Sequence, residues 1–76
     1  MSKKSQLKKE IAEIEREIAA LEQKRSRSQS AILRCMISGT KPKPEEEEYF
    51  RVFSDLIDSE RERLKQLYAE LDELKK

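Results

Sequence analysis

Apolar side chains recur along this chain in alternating steps of three and four residues, the spacing of a single stripe on an α-helix. The first run sets Leu7, Ile11, Ile14, Ile18, Leu21, Ile32 and Cys35 on one stripe, with Arg25 and Ser28 in the remaining slots. The second sets Phe50, Phe53, Ile57, Leu64, Leu67, Leu71 and Leu74 on another, with Glu60 in its one charged slot. Both runs keep the seven-residue period of a coiled-coil seam. Between them, Ser38-Gly39-Thr40-Lys41-Pro42-Lys43-Pro44 holds the chain's only glycine and both of its prolines. Gly39 can take the left-handed conformation that closes a helix, and Pro44 suits the first position of the next. Glu45 to Glu48 then face the positive end of the new helix dipole.

The pattern therefore predicts an all-α fold and a single domain over residues 1–76. It is an antiparallel two-helix hairpin, with a helix over about 5–37, a loop over 38–44 and a helix over about 45–74. Ser5 is the expected start cap of the first helix. Folding about Pro42-Lys43 makes the numbers of opposed seam residues sum to about 85. Cys35 then meets Phe50, Leu21 meets Leu64, Ile11 meets Leu74, and the two charged seam residues, Arg25 and Glu60, face each other. Such a pair contributes little net stability but penalises other alignments, so Arg25–Glu60 is expected to act as a register lock.

The stripes broaden near the loop. Leu33, Met36 and Ile37 lie off the seam of the first helix, and Tyr49, Val52 and Leu56 off that of the second. Toward the termini, off-seam positions are nearly all charged, apart from small alanines and Tyr68. Extended apolar surface of this kind marks an interface. Six such side chains, at roughly 1.5–3 kcal/mol each when fully buried, contribute on the order of 10 kcal/mol before association costs. A second hairpin is the simplest cover: two copies make a symmetric homodimer and a four-helix bundle.

Composition narrows the function classes. Charged residues make up 43% of the chain and aromatics 5%, as in long helices rather than compact enzymes. The net charge of +1 argues against a protein that works by neutralising phosphates. Residues 1–43 carry 11 basic and 5 acidic side chains, and residues 44–76 carry 6 and 11, so the two halves attract when folded back. A basic cluster of Lys24, Arg27, Arg34, Lys41 and Lys43 near the bend supports a weak nucleic-acid contact as the alternative function. It lacks interleaved aromatics, and the segment around it reads first as a solvated helix.

Catalytic and metal chemistry find little material. The chain has no histidine and no tryptophan, and its single Cys35 permits neither an internal disulfide nor a Cys/His zinc site within one chain. Cys35 reads as a core residue, and Glu45 to Glu48 read as helix-start charges before they read as cation ligands. No enzyme activity, cofactor, metal or small-molecule substrate is expected. No apolar run resembles a secretion signal or a membrane span, and a cytoplasmic location is the expectation. Ser54-Asp55-Leu56-Ile57-Asp58, following a loop in a helical hairpin, invites comparison with small phosphatases of sporulation response regulators. Their Ser-Gln-x-x-Leu-Asp core is interrupted here at Asp55, so no activity is carried over. The expected role is a non-enzymatic protein–protein interaction module, an adaptor, assembly chaperone or inhibitor. It would bind a helical partner or itself through Leu33, Met36, Ile37, Tyr49, Val52 and Leu56.

Overall fold

The computed structural model describes residues 2–75 and contains two helices, α1 (Lys3–Ile37) and α2 (Pro44–Lys75), packed side by side as a hairpin. Their 35 and 32 residues correspond to rods of about 50 Å at 1.5 Å per residue, which accounts for an envelope of 56 × 16 × 16 Å. No strand occurs among the described residues.

Each end of the turn is set by a specific device. Ser38 caps α1, the Gly39 N–H donates to the Met36 carbonyl at 3.3 Å, and the Thr40 N–H donates to the Cys35 carbonyl at 2.9 Å. That pair of bonds is a Schellman closure, and it requires the positive φ of 75° found at Gly39. α2 begins on Pro44, whose missing N–H leaves nothing unsatisfied at a first helical position, with Glu45, Glu46 and Glu47 in its first turn. At the other end of α1, Ser2 rather than Ser5 is the cap. The Ser2 hydroxyl accepts the Ser5 N–H at 3.2 Å, so the helix starts one turn earlier than expected and Ser5 lies within it.

The core is a single ladder of Leu7, Ile11, Ile14, Ile18, Ile57, Leu67 and Leu71, with Leu21 and Leu64 packed against it. Ile57 is fully enclosed, at 0% exposure. All the expected seam positions are buried or half-buried except Leu74. That exception, together with the burial of Leu7, exposes a difference in register. The expected alignment puts Leu7 beyond the end of the chain, in water, and Leu74 against Ile11. Instead Leu7 and Leu71 are both buried, and Leu74 is 42% exposed. Opposed positions thus have numbers summing to about 78, one heptad from the expected alignment.

Arg25 and Glu60 are then separated along the axis by about 10 Å, seven residues of rise, and no ion pair joins them. The register lock is not formed. Its cause is the self-similarity of a heptad seam, which fits itself again after seven residues. Burial of Leu7 decides between the two fits, and the loop is compatible with that choice. The loop spans residues 38–43, and its midpoint lies closer to the shorter register than to one centred on Pro42-Lys43. In the observed alignment buried Ser28 comes level with Phe50, a small side chain making room for a ring, and half-buried Glu46 comes level with Ile32. α1 also runs on past the start of α2, so its last turn stands clear at the tip.

Candidate functional site

The contacts flanking the seam define two faces of the hairpin. On one, the Tyr68 hydroxyl donates to Glu15 at 3.4 Å, and Arg61 lies 3.8 Å from Glu22. On the other, Glu10, Glu13, Ile14, Glu17, Glu60 and Arg63 line a groove of about 210 Å³. Glu15 and Glu17 are two residues apart, as are Arg61 and Arg63. Two residues turn a helix by about 200°, so the faces lie on opposite sides of the seam.

The heptad carries these faces up to the loop. Met36 stands two heptads beyond Glu22 and belongs to the Tyr68 face, with Leu33 one turn before it and Ile37 at its outer edge. Leu56 and Tyr49 stand one and two heptads before Arg63 and belong to the groove face, with Val52 between them. All six are exposed, up to 66% at Met36 and 86% at Ile37. The expected surface is therefore two stripes rather than one patch. The α1 stripe (Leu33, Met36, Ile37) and the α2 stripe (Tyr49, Val52, Leu56) lie on opposite faces of the loop end. Tyr49 stacks on Phe53, with ring centroids 6.2 Å apart and planes 25° from parallel, which fixes the outer ring against a seam residue.

The basic cluster divides as well. Lys24, Arg27 and Arg34 share the groove face of α1 by their spacing, while Lys41 and Lys43 sit in the loop. All five are exposed. Arg51, on α2, is paired with Glu48 and, at 3.5 Å, with Asp55. Cys35 is a half-buried free thiol at its seam position.

A pair of carboxylates meets across the seam that sequence spacing did not single out. In the observed register Glu60 comes beside Glu17, and the two carboxyls share a hydrogen bond once one of them is protonated. That bond, partial burial and the Glu17 charge raise the Glu60 pKa above its ordinary value, while Arg63 pulls it down. Glu17 is exposed and Glu60 half-buried, so the pair is open to solvent rather than sealed. The signal lay in the register alone: Glu17 and Glu60 are neighbours only after the seven-residue shift. On the other face, partial burial and then the Glu15 carboxylate raise the Tyr68 pKa. No cluster of three or more candidate metal ligands converges among the described residues. No helix there is long and apolar enough to cross a membrane.

Comparison of the chain with family models, curated proteins and solved structures finds no match. The functional reading accordingly rests on the two stripes.

Proposed function

We infer that the protein is a non-enzymatic interaction module whose loop-end stripes pack against helical protein surface, in an adaptor, chaperone or inhibitor role. The single observation that carries this reading is the clustering of exposed apolar side chains. Among the described residues, six of the eight large apolar side chains left exposed lie near the loop, and the other two, Tyr68 and Leu74, lie toward the termini. Scattered apolar residues are normal on a protein surface, but a cluster on adjacent turns of two helices is not. Among the described residues no further element covers them, because the two helices are already engaged with each other along the seam. Rigid helices present the stripes at fixed spacing, so little ordering cost falls on the contact itself.

The test is the double variant Leu33→Glu with Leu56→Glu, which places one carboxylate in each stripe without touching the seam. It should keep wild-type helicity by circular dichroism and lose its assembled mass and its co-purifying proteins in the native host. A variant that retains both overturns the reading. Three basic residues on one face keep a weak nucleic-acid contact as the second reading. That contact would weaken steeply with added salt, whereas apolar association tolerates salt.

A further inference from the structure

We propose that the hairpin is a latched slide: its helices have a second packed register one heptad away, and burial of Leu7 against Leu71 holds them in the first. The slide concerns the seam alone and stands without the interaction reading above. Three levels of the observed seam set a polar side chain against an apolar one. Half-buried Glu60 is level with Ile18, half-buried Arg25 with Phe53, and half-buried Glu46 with Ile32. Among the described residues no ion pair reaches Arg25, and Glu60 has a second carboxylate, Glu17, beside it.

Moving α1 along α2 by seven residues, about 10 Å, removes all three mismatches. Arg25 comes level with Glu60, Ile18 with Leu67 and Ile32 with Phe53, while Glu46 passes beyond the end of α1. Leu74, exposed now, comes level with Ile11. Two contacts are lost in exchange. Leu7 passes beyond the end of α2, and Ile57 trades Leu21 for Ser28. The turn permits both registers. Pro44 is level with Arg34 now and would be level with Lys41 after the move, three residues to one side of Ile37 or four to the other. With helix axes about 8–10 Å apart, the chain bridges roughly 10–12 Å either way. Thr40 is held to the end of α1 by its bond to the Cys35 carbonyl and lies four steps from Pro44. Lys41 and Lys43 each precede a proline, which keeps them extended, and four extended steps at about 3.1 Å cover that gap.

The slide couples the two ends of the molecule. Leu7 and Ile37 are about 45 Å apart along α1. In the observed register the last turn of α1 stands clear at the tip, with Met36 and Ile37 exposed. After the move that turn lies level with residues 48–51, and the first turn of α2, with Glu45, Glu46 and Glu47, stands clear instead. Drawing Leu7 out of the seam therefore retracts an apolar tip and presents an acidic one.

The experiment measures two distances that the slide changes in opposite senses. In a Cys35→Ser background, spin labels go on Ser30→Cys with Ala69→Cys, or on Lys9→Cys with Asp55→Cys, all of them exposed sites. With Leu7 intact, pulsed electron spin resonance should give distances built on axial separations of about 31 Å for the first pair and about 21 Å for the second. In Leu7→Gln the two should exchange, the first pair shortening as the second lengthens. Adding Arg25→Glu sets two carboxylates level in the second register and should restore the original distances. Ser28→Leu tests the same balance from mid-seam, because a leucine there crowds Phe50 in the first register and fills against Ile57 in the second. It too should exchange the distances. A Leu7→Gln or Ser28→Leu protein that keeps the original distances and only melts lower overturns the slide. Distances that both lengthen or merely broaden indicate fraying and overturn it equally. Exchanged distances that persist in the Leu7→Gln, Arg25→Glu protein remove the polar mismatch as the driving cause and also overturn it.

Discussion

Replacing Glu60 with leucine should stabilise the hairpin, and the size and sign of the change read out the register. Glu60 occupies a half-buried seam position, level with Ile18 and beside the Glu17 carboxyl. A leucine there extends the apolar ladder between Ile57 and Leu64. Full burial of such a side chain contributes roughly 1.5–3 kcal/mol, so half burial contributes about 1 kcal/mol. In a domain of this size that is a rise of about 4–8 °C in Tm. A second signature comes from pH. Because the folded-state pKa of Glu60 is raised, the folded protein binds more protons than the unfolded chain between the ordinary glutamate value and the raised one. Wild-type stability from this group is therefore present at low pH and lost as pH rises through that window. The variant has no such loss, so its advantage over wild type is largest above the window and shrinks as the solution is acidified. Thermal melts at low micromolar concentration, across about pH 3.5 to 8, measure both effects. Were Glu60 paired with Arg25, its removal would strand a half-buried guanidinium, and the variant would melt lower at neutral pH. That result would refute the seven-residue shift.

The remaining predictions address the seam and the turn. In a Cys35→Ser background, cysteines at Leu7 and Leu71 should be joined within one chain by a short thiol cross-linker, whereas cysteines at Ile11 and Leu74 should not; mass spectrometry distinguishes the two, and the reverse outcome restores the longer register. Gly39→Ala adds a methyl group that meets nothing within 4 Å, so its cost is conformational only. At φ 75° that cost is about 1–2 kcal/mol, read as a lower denaturation midpoint, and an unchanged midpoint would remove the glycine from the closure of α1. Ile57→Ala, at the fully enclosed position, should cost about 2–5 kcal/mol in denaturant titration. Leu74→Ala, at an exposed one, should cost less than about 1 kcal/mol, and equal costs would contradict the placement of the core.

Much of this architecture is legible in the residues themselves. Gly39 and the two prolines mark the only break, and steps of three and four from Leu7 to Cys35 and from Phe50 to Leu71 identify the packed face. Both follow from local rules that tertiary structure has no reason to override here. Register is another matter, because a heptad pattern determines alignment only to within multiples of seven. Counting outward from Pro42-Lys43 selects the wrong multiple, and the apparent match of Arg25 with Glu60 reinforces it. Burial of Leu7 is the physical discriminator: an apolar residue so near the terminus needs something opposite it, and only the shorter alignment supplies Leu71. The six loop-end residues are visible as off-seam positions, and their exposure follows from that. Their division between two faces is visible too, since Met36 keeps heptad phase with Glu22 while Leu56 keeps it with Arg63. The two faces become distinct only when the flanking pairs Glu15–Tyr68 and Glu17–Glu60 show which side each phase belongs to. The start cap at Ser2 escapes notice because nothing in its neighbours distinguishes it from Ser5.

The most direct measurement is site-specific photo-cross-linking in the native host, with a photoreactive residue placed singly at Met36, Leu56, Glu62 or Asp72. All four positions are exposed, and only the first two lie in the apolar stripes. Discrete protein adducts at Met36 and Leu56, with none at Glu62 and Asp72, are the predicted result. Equal labelling at all four positions, or none at the stripes, would contradict an interface at the loop end.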